Sequence, residues 1–531
     1  MNLIAALQTL QAEHGHLRDE DLRELAARTR VALYEIQAIA SFYPHFRRQP
    51  PPAIEVSVCR DLSCAMHGGA AARTRLEALA AERDDAAVVP VSCLGRCDGA
   101  PACLVNGRPA AVDRAAEILD GRARSQDLPS SETPRPAPLE CDPYRDGARG
   151  GAPYGVFREL AESDGFADVP ERLLRAGLRG MGGAGFPTGR KWALVRDRPA
   201  GPRVVICNAD ESEPGTFKDR ALLEWVPHLL IEGMAIAAAS VGAEEGWIYL
   251  RHEFAPEREK LESALAEARE AGVVGAGAGP GGRAFDLRVF VSPGGYILGE
   301  ETALLEALEG RRGEPRHKPP YPVEKGLHGR PTVINNVETL ALVPHVLDTG
   351  RVDRKLFAVS GDVARPGVHE VPFGASAREL IERCGGMRDG RALAAFLPGG
   401  ASTGFLGAEH ADTPLTFDAL RAAGSALGSG AVVVIAEGRD LLEQARSLVA
   451  FFRNESCGKC VPCRVGTVKA VEVLEAARGR ALSEAERDLL GDLDATLRDT
   501  SICGLGHVAL TPAMSALRLA GRGGGRGQGR G

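Results

Sequence analysis

A multidomain α/β protein, with helical bundles at both ends, is predicted by three features of this sequence. The chain has 531 residues, too many for one hydrophobic core and enough for about three to five domains. Its apolar residues switch between helical and strand spacing along the chain. Eight of its twelve cysteines fall into two sets of four, one near each end.

Taken in order, residues 1–50 carry Leu3, Leu7 and Leu10, then Leu22, Leu25, Val31, Leu33, Ile36 and Ile39, and stop at Tyr43-Pro44. That spacing predicts a small helical bundle. Residues 53–121 read as a strand at 54–58, a cysteine loop, a helix through Leu76 and Leu79, a strand at 88–91, a second cysteine loop and a strand at 102–105. This is a small α/β domain with both cysteine pairs at strand ends. Residues 122–153, with four prolines between 128 and 138 and the glycine-rich run 147–151, have the composition of a linker. A larger α/β domain follows at 154–350, with strands at 203–207, 247–250 and 287–291. Residues 352–436 predict a compact β-grasp-like domain with a helix around 377–384, and 438–520 a helical domain holding the second cysteine set. The tail, 521–531, is glycine and arginine apart from Gln528, which predicts disorder.

The cysteine spacings carry chemistry. Cys457, Cys460 and Cys463 form a C-x2-C-x2-C run, with Cys503 as the one downstream candidate for a fourth ligand. Three close thiolates plus a remote one favour [4Fe–4S] over zinc, whose ligands usually come as two knuckles. Cys59 with Cys64 and Cys93 with Cys97 form two separate pairs. Two pairs on two loops suit a [2Fe–2S] centre, with zinc or a disulfide left open on spacing alone. Cys103, Cys141, Cys207 and Cys384 lack such spacing and read as inert thiols.

Composition excludes other classes. A formal charge of −7 gives no basic footprint for nucleic acid. The N-terminus does not read as a signal peptide, and the longest mostly apolar stretch, 229–243, is too short to span a bilayer. Clustered unpaired thiols without an export signal predict the cytoplasm.

Gly180-Met-Gly182-Gly183-Ala-Gly185-Phe186-Pro187-Thr188-Gly189-Arg-Lys191 formally contains G-x-G-x-x-G. It fits a dinucleotide fingerprint badly, because helical sequence precedes it and Pro187 with Gly189 is expected to interrupt the segment after it. Open backbone and Lys191 still suit a phosphate or a flat ring. A strand ending at Cys207 leads into Asn208, Asp210, Glu211 and Glu213, carboxylates able to bond sugar hydroxyls or a ring N–H. Loops at 294–302, with Tyr296, Gly299, Glu300 and Glu301, and at 331–339, with Asn335, Asn336 and Thr339, complete the set. Four such loops in one domain predict a nucleotide-like site.

These motifs, together with Lys318-Pro-Pro-Tyr321-Pro and Ser456-Cys-Gly-Lys-Cys-Val-Pro-Cys-Arg, closely resemble the flavin-bearing, NADH-oxidising subunit of respiratory complex I. The first 120 residues, with Cys93-Leu-Gly-Arg-Cys97-Asp-Gly-Ala-Pro, resemble its thioredoxin-like [2Fe–2S] partner subunit, here part of the same chain. The resemblance implies a thioredoxin-like domain at 53–121, a Rossmann-like FMN domain at 154–350, an SLBB-type β-grasp domain, one [2Fe–2S] and one [4Fe–4S] centre. It implies that Gly180, Gly182, Lys191, Asn208, Asp210, Glu211, Gly299, Glu300, Asn335, Asn336 and Thr339 hold FMN, with Gly183, Gly185 and Tyr296 as further cofactor-binding residues. Phe186, Glu213, Glu301 and Tyr321 would line the NAD(H) side, and hydride would pass directly, without a protein acid or base. The chain departs from the family at Met181, usually arginine, at Leu194, usually an aromatic that helps sandwich adenine, and at Leu298, usually cysteine. The fused layout is similar to the β (diaphorase) subunit of an NAD-dependent formate dehydrogenase, whose partner is a molybdopterin α subunit. The alternatives are a complex I input subunit, peripheral to the membrane, or the diaphorase of an NAD-linked hydrogenase.

Overall fold

The computed structural model describes residues 2–128, 133–135 and 137–524. Helices Leu3–His14, Asp19–Thr29 and Leu33–Phe42 form the N-terminal bundle around Leu7, Leu22 and Ile36, all fully buried. The bundle is docked, not tethered: the Asn2 side chain accepts from the Ala5 N–H at 3.1 Å and donates to the Leu308 carbonyl at 2.6 Å.

The next domain is a four-stranded sheet in the order Ala86–Val91, Ile54–Cys59, Cys103–Val105, Arg108–Ala110. The first pair is parallel and the others antiparallel, with helices Gly69–Ala80 and Val112–Leu119 packed on it. The last strand and helix were not anticipated; a strand of three residues shows too little alternation to be read. Beyond it, Tyr144 donates to the buried carboxylate of Glu232 at 2.7 Å, and Glu370 accepts from the Cys141 N–H at 2.7 Å. Residues 141–144 therefore run against two domains; residues 129–132 and 136 of the expected linker lie outside the described residues.

The central sheet is wholly parallel, in the order Asp286–Val291, Glu245–Leu250, Val204–Ala209, Thr332–Asn336. Val204 to Cys207 are fully buried, the apolar run that a strand covered on both faces needs. The segment 331–339, expected as a loop, is mostly the fourth strand, ending in helix Val337–Thr349. After Val204–Ala209 the chain adds two strands on one side and then returns to the other. The order thus reverses between Val204–Ala209 and Thr332–Asn336, and ligands of open α/β sheets bind at such a crevice, beyond the strand C-termini.

The fourth domain has a five-stranded mixed sheet, in the order Gly367–Pro372, Arg354–Gly361, Ala431–Ala436, Leu393–Leu397, Leu406–Gly407, and helix Ala377–Arg383. Helices Leu441–Asn454, Val461–Ala476, Glu484–Thr500, Gly504–Val508 and Thr511–Gly524 complete the structure. The last helix extends into the expected tail, whose residues 525–531 lie outside the described residues. Among the described residues no single helix is long and apolar enough to cross a membrane. The apolar stretch at 229–243 is largely the buried core helix Pro227–Val241.

Candidate functional site

At the reversal point lies a cavity of about 420 Å³, lined by Gly182, Gly183, Asn208, Asp210, Glu211, Glu213, Tyr296, Gly299, Glu300 and Asn336 among others. Ten of the eighteen expected nucleotide-site residues thus share one wall. The others do not line it. Thr339 Oγ1 accepts from the Met181 N–H at 2.8 Å, and Asn335 Oδ1 accepts from Trp192 Nε1 at 2.9 Å. Lys191 donates to Glu301 at 2.5 Å and to the Ile334 carbonyl at 2.9 Å, so its charge is paired. Phe186 and Tyr321 are 41% and 53% exposed.

The glycine loop is pinched shut at its base. Gly180 N–H donates to the Phe186 carbonyl at 2.9 Å and Thr188 N–H to the Leu178 carbonyl at 2.8 Å. Pro187 and Gly189 do not interrupt the segment after the loop: helix Thr188–Arg196 begins immediately, with Pro187 at its N-cap. Gly189 is a packing glycine, since a Cβ there would lie 2.1 Å from the Pro170 carbonyl oxygen of the neighbouring helix Val169–Ala176. Gly182 belongs to the cavity, and a Cβ there would meet Asn336 at 2.9 Å.

Two of the carboxylates do structural duty as well. Glu211 accepts from the Asp219 and Arg220 N–H groups at 2.9 and 3.0 Å, at the start of helix Lys218–Trp225. Glu300 accepts from Thr302 and Ala303 N–H groups, each at 2.9 Å, and takes Lys318 at 2.7 Å. Both satisfy helix N-terminal donors and are fixed by doing so. Asn208 Nδ2 donates to the Gly299 carbonyl at 2.8 Å, joining two of the loops.

Sequence reasoning missed the part of the wall that comes from other domains: Ser402, Thr403, Ala426, Gly428 and Ser429 from the β-grasp domain, and Gly504, Leu505 and Val508 from the helical domain. Ser402 N–H donates to Glu213 Oε1 at 2.6 Å, and Ser429 Oγ lies 2.8 Å from Thr216 Oγ1. Gly399-Gly400-Ala-Ser402-Thr403 was the available signal, a second glycine-rich loop.

Burial raises all three carboxylates of the 210–213 loop: Asp210 to about 7, Glu211 to about 8 and Glu213 to about 7. Between about pH 4.5 and 8 the folded protein holds protons that the unfolded chain has lost, so stability falls as pH rises through that window and levels off above it. The denaturant midpoint of cofactor-stripped protein, followed from pH 5 to 9, is expected to drop and then flatten near pH 8; a rise would contradict this environment.

The cysteines of each set lie near one another, with Cys460 within hydrogen-bond reach of Cys463 in the second, though among the described residues no three His, Cys, Asp or Glu side chains converge tightly enough to hold a single metal ion. Cys93 Sγ and Cys97 Sγ are 3.8 Å apart, and Cys59 is within hydrogen-bond reach of Cys64 and Cys93. Gly95 and Ala102 N–H groups donate to the Cys93 and Cys64 sulfurs at 3.4 and 3.3 Å. In the second set Cys463 and Cys503 are buried, Cys457 and Cys460 half-buried, and the backbone N–H groups of Leu505 and Gly506 point at Cys503. The loop carrying Cys503 is the one that walls the cavity.

Comparison with known proteins agrees with this arrangement. The Nuo51 FMN-binding domain family matches residues 173–345, the thioredoxin-like [2Fe-2S] ferredoxin family 1–120, the NADH-ubiquinone oxidoreductase-F iron-sulfur binding region 443–520, and the SLBB domain 356–406. The second F-type subunit of the NADH-quinone oxidoreductase of Rhizobium meliloti (strain 1021) is 43% identical over 383 residues, 69% of this chain and 90% of that one. The F-type subunit of the Escherichia coli (strain K12) enzyme is 45% identical over 322 residues, 58% of this chain and 72% of that one. A chain in the crystal structure of an NAD+-reducing [NiFe]-hydrogenase, in the H2-reduced state, superposes with a TM-score of 0.86 at 32% identity, over 97% of this chain and 91% of that one. With FMN, [2Fe–2S] and [4Fe–4S] domains joined in one polypeptide, this chain is an NAD-dependent flavin and iron–sulfur oxidoreductase and belongs to the family of NADH-quinone oxidoreductase F-type subunits.

Proposed function

We propose that the cavity holds FMN through Gly182, Gly183, Asn208, Asp210, Glu211, Gly299, Glu300 and Asn336. Gly180, Gly185, Asn335 and Thr339 support that wall, and Lys191 with Glu301 stands at its edge. One observation carries this reading. Among the described residues Ser212 Oγ, a cavity-lining hydroxyl, is buried without a hydrogen-bond partner, and the hydrogen bond that the equally buried Asp210 carboxylate accepts from the Ser292 hydroxyl is a long one, at 3.3 Å. Buried polar groups this poorly bonded fit a ligand rich in hydroxyls and ring N–H groups, and the volume suits one. FMN, when bound, supplies the exchange between two-electron hydride chemistry with NAD(H) and one-electron chemistry with iron–sulfur centres.

The chain's own residues orient, select and exclude water. Phe186 and Tyr321 offer exposed rings to adenine, while Leu194, 38% exposed, offers only an aliphatic surface where the family resemblance implies an aromatic. Tyr296 packs tilted at 59° against Phe451, ring centroids 5.0 Å apart, and lines the cavity with Leu505. Glu213 is held by the Ser402 N–H and, ionised above about pH 7, would repel a 2′-phosphate, selecting NAD(H) over NADP(H). Glu213→Gln is expected to narrow the NADH/NADPH ratio of kcat/KM by at least about tenfold, on the order of one unscreened charge contact. An unchanged ratio, with flavin still bound, would place the discrimination elsewhere.

Cys457, Cys460, Cys463 and Cys503 are proposed as [4Fe–4S] ligands, and Cys59, Cys64, Cys93 and Cys97 as [2Fe–2S] ligands. Electrons leave towards a partner subunit at the first of these. Val461, Val465 and Val468, on the helix that begins beside Cys460, are 58%, 55% and 42% exposed, an apolar stripe suited to burial in a complex.

For the parent enzyme, we propose a cytoplasmic NAD-dependent formate dehydrogenase, with this chain as its β subunit beside a molybdopterin α subunit. The fused layout supports it over a complex I subunit, since the Rhizobium meliloti relative matches only 69% of this chain. The whole-chain likeness to an NAD+-reducing hydrogenase favours a second reading, the diaphorase of a hydrogenase. Supplying the purified native complex with formate or with H2 and following NAD+ reduction separates them: reduction with H2 alone overturns the formate reading.

A further inference from the structure

The carboxylate loop of the cavity and the Cys93–Cys97 loop of the N-terminal domain are joined by buried arginines. Arg251 stands at the C-terminal end of strand Glu245–Leu250 and is 4% exposed. Its Nη1 donates to the Glu211 carbonyl at 2.6 Å, and its Nη2 donates to the carbonyl of Cys93. One guanidinium thus bridges the backbone of a flavin-side residue and that of a proposed cluster ligand. Its counter-ion is on the other edge, where Nε donates to Glu253 Oε2 at 3.0 Å. Arg220, 1% exposed, repeats the pattern, donating to the Gly95 carbonyl and to Asp98, each at 2.6 Å. Its own backbone N–H is bonded to the Glu211 carboxylate.

We infer that Arg251 is a positioning residue that holds the potential of the [2Fe–2S] centre up and registers that centre against the flavin loop. This rests on the assignment of the N-terminal cysteines made above. Adding an electron to a cluster makes it more negative, so a cation at its ligand loop favours the reduced form. Burial leaves that charge poorly screened, and with Glu253 bonded to the far edge the positive end of the ion pair faces Cys93. The two carbonyl bonds need the planar fork of an arginine, but the electrostatic effect needs only a charge.

The test is a redox titration of the holoenzyme followed by EPR of the [2Fe–2S] signal. Arg251→Gln is expected to make one-electron reduction at least tenfold less favourable, a fall of 59 mV or more. Arg251→Lys, which keeps the charge and loses the fork, is expected to fall by less than half as much. An unchanged potential in Arg251→Gln overturns the inference, as does an equal fall in both variants, which would mark a structural role. If Arg251→Gln fails to assemble the centre, Arg251→Lys against Arg220→Gln decides on the same terms. Loss of the signal in Cys93→Ser checks the ligand assignment separately: a signal that persists there removes that assignment, whatever the arginine variants do.

Discussion

Cys503→Ser is expected to abolish the [4Fe–4S] signal and lower NADH-to-partner turnover on the order of 100-fold or more, since removing a ligand costs more than the 10–100-fold typical of an outer-shell change. Bleaching of the bound flavin by NADH in a single turnover should survive. The two effects separate because the serine alters one sulfur and leaves the cavity wall, made by Gly504, Leu505 and Val508, in place. EPR, flavin content and stopped-flow absorbance read the three quantities independently. Undiminished partner turnover would mean that electrons bypass this set. Cys384→Ser is the control: that thiol is fully buried in the β-grasp domain, 3.2 Å from His369 Nε2, and its loss should change none of them.

Glu338→Gln should be strongly destabilising. Glu338 is fully buried and its Oε2 takes Lys355 at 2.8 Å and Lys218 at 3.0 Å, both lysines also fully buried. Its Oε1 accepts from the Leu356 N–H at 2.8 Å, and Lys218 is shared with Asp219 at 2.6 Å. Burial alone would raise the Glu338 carboxyl, but the two ammonium groups hold it below its ordinary value. Neutralising it leaves two buried cations with one carboxylate between them. Breaking a buried pair in this way costs about 3–5 kcal/mol, roughly 6–20 °C in the melting of a domain this size. Asp219 also accepts from Asn336 at 2.5 Å, so flavin retention should weaken alongside. Asp412→Asn, which breaks an exposed pair with Arg378, should leave the melt where it was. Equal melts for both variants would refute the account of the buried network.

What could be read in advance was whatever carries its chemistry in local spacing. The C-x2-C-x2-C run, the paired N-terminal cysteines, the glycine loop and the carboxylates after Cys207 each signal within a dozen residues. The sites that escaped are assembled from a distance. Ser402 meets Glu213 across 189 positions, and Arg251 meets Cys93 across 158. An ordinary serine or arginine has no pattern to betray it. Double duty hid other roles: Glu211 and Glu300 cap helices while lining the cavity, and Gly189 serves helix packing inside what reads as a ligand loop. The strand Thr332–Asn336 escaped because its two asparagines and flanking proline suggest a turn, whereas burial beside Val204–Ala209 and pairing along its length decide otherwise.

The cavity wall starts at Gly182 and is finished by Val508. During synthesis, which proceeds at about 5–20 residues per second with N-terminal units folding first, the parallel sheet is therefore complete well before the wall is. With the flavin placed in this cavity as proposed, its loading would wait for residues 504–508. A nascent or truncated form ending after the β-grasp domain would fold its sheet and leave the ribosome without flavin.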